Sequence, residues 1–232
     1  MYESIRDNVQ RVLEVIAKMR PGEDVKLMAV TKTRTLQEAQ AAIEAGAHLL
    51  GENKAQEARS KYLEKPAVPL HMIGHLQTNK VKYAINLFDG IDSIDNERVA
   101  DVLNRRLNVR LPVMIEVNGG KEATKTGLFF EDVKPFLAKA EQWHNLLFVG
   151  MMVLFPASAD KSSEEKKKIR DLMKETGELW RTSQQEGFPW APLRELSMGM
   201  SQDFEWALEA GSTMIRLGTE LFGARPKNTS VI

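Results

Sequence analysis

KLMAVTKTRT, residues 26–35, decides the fold. Met28, Ala29 and Val30 form an apolar run that leads directly into Thr31 and Lys32. A short apolar run bounded by polar turn residues reads as a buried strand, with the lysine at its C-terminal end. TLQEAQAAIEAG (35–46) follows at once and reads as a helix closed by Gly46. A strand answered immediately by a helix is half of a βαβ unit.

The unit recurs down the chain. HLLGEN, PLHMIGHL, GIDSID, LPVMIEVN, LLFVGMMVL, RELSMGMS and STMIRLG are further strand-like runs. Helical stretches such as KAQEARSKYLEK, NERVADVLNRRLN and SSEEKKKIRDLMKETGELWRTSQQEG stand between them. Strands alternating with helices imply parallel pairing. Eight such units in this length fit a barrel better than an open sheet, and the GxGxxG fingerprint of dinucleotide folds is missing. Ahead of the first strand, Ile5, Val9, Val12, Leu13 and Ile16 recur at helical spacing until Pro21-Gly22. The expected architecture is therefore α/β, a (β/α)8 TIM barrel with an extra N-terminal helix, in a single domain over residues 1–232. FPASADKSSEEKK (155–167) is the most loop-like stretch.

Composition narrows the function classes. The 232 residues are 43% hydrophobic and 28% charged, with 32 basic and 32 acidic side chains. That balance lacks the basic excess a nucleic-acid partner requires. There is no cysteine, which excludes disulfides, thiolate metal sites and cysteine nucleophiles. The N-terminal stretch is charged throughout, unlike a signal peptide, and no apolar run approaches the roughly 18 residues of a membrane helix. A cytoplasmic protein without membrane or nucleic-acid partners is expected.

A TIM barrel keeps its chemistry at the C-terminal ends of its strands. Lys32 ends the first strand and shares a side with Met28 and Val30 by alternation. It either snorkels to water or is an amine in a partly apolar pocket, where desolvation frees its lone pair. Ser201 stands between the seventh strand and the next helix. It reads as an N-cap or as an anion ligand beside free amides, with Gly218-Thr219 offering a second set. Arg216, on the face of Met214 and Gly218, needs a partner if buried. That partner is either a neighbouring carboxylate or a ligand. His75 reads first as a hydrogen-bonded structural group. With four histidines and no HxH or HExxH spacing, no metal site is expected.

A strand-one lysine, phosphate loops after strands seven and eight, and a strand-eight arginine form one constellation. With AVTKT, GENKAQE, HMIGHLQTNK, EVNGGKEATKTG and LSMGMSQDFEWALEAGSTMIRLGTELFG in this order, the chain resembles the pyridoxal phosphate homeostasis protein family. That family is related to the N-terminal barrel of alanine racemase. The resemblance runs from residue 28 to 224. It implies that Lys32 forms the internal aldimine with pyridoxal 5′-phosphate. It places the phosphate on Ser201 and the amides near Gly218 and Thr219, and Arg216 near the pyridine nitrogen. Asn53, His75, Asn118 and Met200 fall in matching motifs and would line the pocket. VGMMVLFPASAD departs from the family pattern, though Met152 would keep its pocket-lining place.

The same resemblance bears on catalysis. Full alanine racemases carry an added β-domain that supplies a tyrosine as second base. Here the sequence reaches Ile232 soon after LFGARP, and Tyr2, Tyr62 and Tyr83 occupy no racemase-like position. Two-base racemisation needs an acceptor on each face. The leading expectation is thus a monomeric, non-catalytic carrier of the cofactor, with pyridoxal-phosphate-dependent apoenzymes as recipients. A small single-domain amino-acid racemase is the alternative. A barrel using Lys32 as an aldolase lysine on another phosphorylated ligand is the third reading.

Overall fold

The computed structural model describes residues 2–122 and 125–224. Helix α1 (Tyr2–Met19) precedes β1 (Lys26–Val30), and the chain then alternates: α2 (Leu36–Glu44), β2 (Leu49–Glu52), α3 (Ala55–Lys61), β3 (Leu70–Met72), α4 (Val81–Ala84), β4 (Gly90–Ile94), α5 (Glu97–Arg106), β5 (Leu111–Asn118), α6 (Phe130–Leu137), β6 (Leu146–Leu154), α7 (Ser163–Glu186), β7 (Glu195–Ser197), α8 (Phe204–Glu209), β8 (Met214–Leu217) and α9 (Thr219–Phe222). The eight strands pair in sequence order and close into a barrel. Every ladder is parallel; Met28 sits opposite Leu49 on β2 and opposite Arg216 on β8.

Alternation along the strands separates two cores. Met28, Leu49, Met114, Met152 and Met214 fill the barrel interior as a distinct buried cluster. Flexible thioether side chains suit that irregular space. The larger core lies between barrel and helices, where Trp143 stacks on Phe136 at 5.1 Å and Phe148 meets Phe136 edge-on. Gly177 of α7 has a specific reason: a Cβ there would stand 2.3 Å from the Ala210 carbonyl oxygen beyond α8. Among the described residues, no helix is long and apolar enough to cross a membrane.

Helix α1 buries Ile5, Val9, Val12 and Ile16. It lies across the seam where the barrel closes. Gln10 donates to the Ala45 carbonyl beyond α2 at 2.6 Å, and Asn8 donates to Leu221 of α9 at 3.1 Å. Arg11 pairs with Glu220. The start of the chain thereby braces its last helix.

Three elements differ from the sequence reading. The strand expected over RELSMGMS ends at Ser197, because Gly199 takes φ 96° and turns the chain along the barrel rim. The helical connection after β3 (78–88) is reduced to a 3-10 turn at Thr78–Lys80 followed by α4, and the Ala84 carbonyl already accepts from Leu87 and Phe88. Helix α9 lies beyond the last expected element.

Helix α2 is opened by a full capping box: the Glu38 amide donates to Thr35 Oγ1 at 3.2 Å, and the Thr35 amide donates to the Glu38 carboxylate at 2.7 Å. Thr35→Ala is expected to lower stability by about 1 kcal/mol. Urea midpoints of the two proteins measure it, and coincident curves would show that the cap contributes nothing.

Candidate functional site

A cavity of about 530 Å³ opens at the C-terminal ends of the strands. Such a volume is ordinary for a small-molecule site. Its wall contains eight of the ten residues singled out in the sequence: Lys32, Asn53, Met152, Met200, Ser201, Arg216, Gly218 and Thr219.

Lys32 stands two residues past β1, half-buried in a turn. Met28 of the same side lies in the barrel interior, and Val30 and Lys32 both line the cavity. Alternation has carried the side chain to the mouth, as the spacing required. Ile73, Met152 and Leu154 supply an apolar wall.

A further part of the lining comes from the turns after β7 and β8, and β8 pairs directly with β1. Ser201 does not cap the helix that follows it. Asp203 holds that place, its carboxylate accepting from the Met200 amide at 2.6 Å. Ser201 Oγ instead accepts from the Glu220 amide at 3.1 Å, which ties the β7 turn to α9. The first amides of a helix have no partner within it. Among the described residues, no backbone carbonyl takes the amides of Ser201, Gln202 or Thr219. A Cβ on Gly218 would stand 3.6 Å from the Val30 carbonyl oxygen, an ordinary contact that places the turn after β8 directly beside the end of β1.

Arg216 is 4% exposed. It donates to the Ser197 carbonyl at 2.7 Å, to Ser197 Oγ at 2.8 Å and to the Val153 carbonyl at 2.9 Å. The ion-pair reading therefore gives way: neutral oxygens grip the guanidinium, and Asp92, Asp203 and Glu116 act on it as charges only. Burial pushes its pKa down to about 10, with those acids opposing the shift. It stays cationic at neutral pH. Burial also raises the carboxyls of Asp203 and Glu116, against a hydrogen bond from the Met200 amide and from Thr126 respectively.

His75 and Asn118 stand apart from the cavity. His75 is exposed and shares a hydrogen bond with Asp95 at 3.1 Å. Asn118 is buried and folds the loop after β5: its amide group donates to the Glu122 carbonyl at 2.7 Å, and its carbonyl oxygen accepts from the Glu122 amide at 3.2 Å. Conversely, Arg34, Asp203 and Ala157 line the cavity without having been singled out. Arg34 was readable, since it follows Lys32 by two. Ala157 was not, because its place depends on the loop after β6. That loop is held by Gln202, whose side-chain oxygen accepts from the Ala159 amide at 3.1 Å.

Known proteins resemble this chain in sequence and in fold. The family model for the N-terminal domain of alanine racemase matches residues 2–226. The pyridoxal phosphate homeostasis protein of Aquifex aeolicus is 36% identical over 229 residues, covering 94% of this chain and 97% of that one. The structure of PipY from Synechococcus elongatus with pyridoxal phosphate bound superposes with a TM-score of 0.78 at 31% identity, covering 93% of this chain and 100% of that one. Alanine racemase from Corynebacterium glutamicum shares the fold alone: TM-score 0.72, 16% identity, 97% of this chain and 61% of that one.

Proposed function

This chain belongs to the pyridoxal phosphate homeostasis protein family, and from that premise we propose that it binds pyridoxal 5′-phosphate in the barrel mouth and serves vitamin B6 homeostasis as a carrier. One observation carries the reading. A single cavity is lined by an amine from beyond the end of β1, by amides from the turns after β7 and β8 that no backbone carbonyl takes among the described residues, and by a buried cation from β8. Those are the groups a phosphorylated aromatic aldehyde needs.

Bound there, pyridoxal 5′-phosphate supplies an aldehyde open to amines and a ring able to accept electrons. Lys32 provides the amine that retains it. Ser201 and the amides at Gly218 and Thr219 receive the phosphate. Arg216 keeps its charge, so a ring nitrogen beside it resists taking a second positive charge. That weakens the ring as an electron sink. Among the described residues, the cavity wall holds neither tyrosine nor histidine. Tyr62 is buried against Thr31, with its hydroxyl pKa pushed up by burial. A carrier, rather than a two-base racemase, is the reading these walls favour. Loading of apoenzymes follows from the same reading.

Titrating the purified protein with pyridoxal phosphate tests it: visible absorbance should rise to one equivalent, and borohydride should fix the mass of the cofactor on the peptide holding Lys32. No saturable absorbance would refute the reading. Ser201→Ala is expected to weaken retention about tenfold, since one hydrogen bond to a charged group is worth roughly 1.5 kcal/mol or more, while leaving the absorbance attainable at high ligand. Unchanged affinity would remove Ser201 from the phosphate site.

A further inference from the structure

Of the GENKAQE stretch, only Asn53 reaches the cavity. Its two acids, Glu52 and Glu57, grip the chain on either side of Lys32. Before the lysine, every polar group of Thr31 is taken. Its amide donates to the Gly51 carbonyl at 3.0 Å, and its carbonyl accepts from Lys61 Nζ at 2.6 Å. Its hydroxyl donates to Glu52 Oε1 at 2.7 Å and meets the Tyr62 hydroxyl at 2.9 Å. After the lysine, the Thr33 amide donates to Glu57 Oε1 at 2.5 Å.

Thr33 has φ 63°. A β-branched residue in the left-handed region is an outlier and persists only where its surroundings hold it. Glu57 is the hold. Lys61 lies 2.7 Å from Glu52 and 3.9 Å from Glu57, so one ammonium links both grips. Glu52 is fully buried, and among the described residues one of its oxygens has no hydrogen-bond partner. A carboxylate placed at that cost fixes geometry rather than adding surface charge.

We propose that Glu52, Glu57 and Lys61 are positioning residues, a clamp that locks the backbone at Thr31 and Thr33 and so sets where the Lys32 amine points. The clamp rests on the proposed function only for the ligand that Lys32 meets. Its test therefore has one readout without the ligand and one with it.

Acetic anhydride labelling of the whole protein, followed by peptide mapping, reports the environment of the Lys32 amine. Glu57→Ala should change its labelling rate at least fivefold relative to the other lysines, and slow the rise of visible absorbance with pyridoxal phosphate by a similar factor. Adding Thr33→Gly should return both to within about twofold, because glycine adopts the left-handed conformation unaided. Equal loss in the double variant, or unchanged labelling in Glu57→Ala, overturns the clamp. If Glu57→Ala fails to fold, Glu57→Gln takes its place, with at least a twofold change in labelling expected and none overturning the clamp. Altered labelling in the variants with no visible absorbance in the parent would leave the clamp standing and remove the cofactor reading.

Discussion

Lys32→Ala is expected to abolish the visible absorbance of the protein with pyridoxal phosphate while leaving its fold intact. The side chain projects from a turn beyond β1 into a cavity, half-buried and outside both cores. Truncations of that kind usually cost within about 0.5 kcal/mol, so circular dichroism and the unfolding midpoint should match the parent. The rest of the lining, Ser201 with Gly218 and Thr219, is untouched. Equilibrium dialysis should therefore still find ligand bound, more weakly and releasable by gel filtration. The assignment fails if the variant keeps a band that borohydride fixes on a different residue.

The second large effect is on stability. Lys61 and Glu52 form a buried pair at 2.7 Å, with side chains 9% and 0% exposed. Lys61→Met leaves a buried carboxylate without its cation, a change that typically costs about 3–5 kcal/mol. The loss should depend on pH in a defined direction. Burial already raises the Glu52 carboxyl in the folded protein, against the hydrogen bond and charge of Lys61. Without Lys61 it rises further. A carboxyl raised on folding stabilises below its unfolded pKa, and that contribution is lost as pH rises through the folded value. Urea unfolding at pH 8 should show the full deficit, and at pH 5 a smaller one. Glu52→Gln in the same background should recover most of it. An equal deficit at both pH values would point to lost packing of the lysine stem instead.

How much of this was legible in the sequence follows from how each feature is specified. The barrel was readable because eight apolar runs alternate with helical spacing, a pattern that parallel pairing alone satisfies. Lys32 and Arg216 were readable because strand alternation fixes a face once one neighbour is known to be inside. Ser201 was found, but its partner was not. The short α9 has no periodicity of its own, and a hydroxyl bonding 19 residues ahead leaves no local mark. Asn118 ends β5 and His75 follows β3 by three residues, yet such positions diverge. His75 turns to Asp95 and Asn118 to its own loop, choices made by loop contacts rather than by the pleat. The clamp around Thr31 and Thr33 was the least visible. Glu57 looks like an ordinary first-turn acid of α3 until the backbone at Thr33 is seen.

The closure of β8 on β1 has a consequence for biosynthesis. The ligand's two walls are 187 residues apart in the chain, at Lys32 and Thr219. At roughly 5–20 residues per second, a ribosome needs about 10–40 s to make that interval. Through that time a nascent chain carries the amine without the β7 and β8 turns that complete the cavity lining. Cofactor capture in the closed cavity thus waits until β8 has been made and has paired with β1.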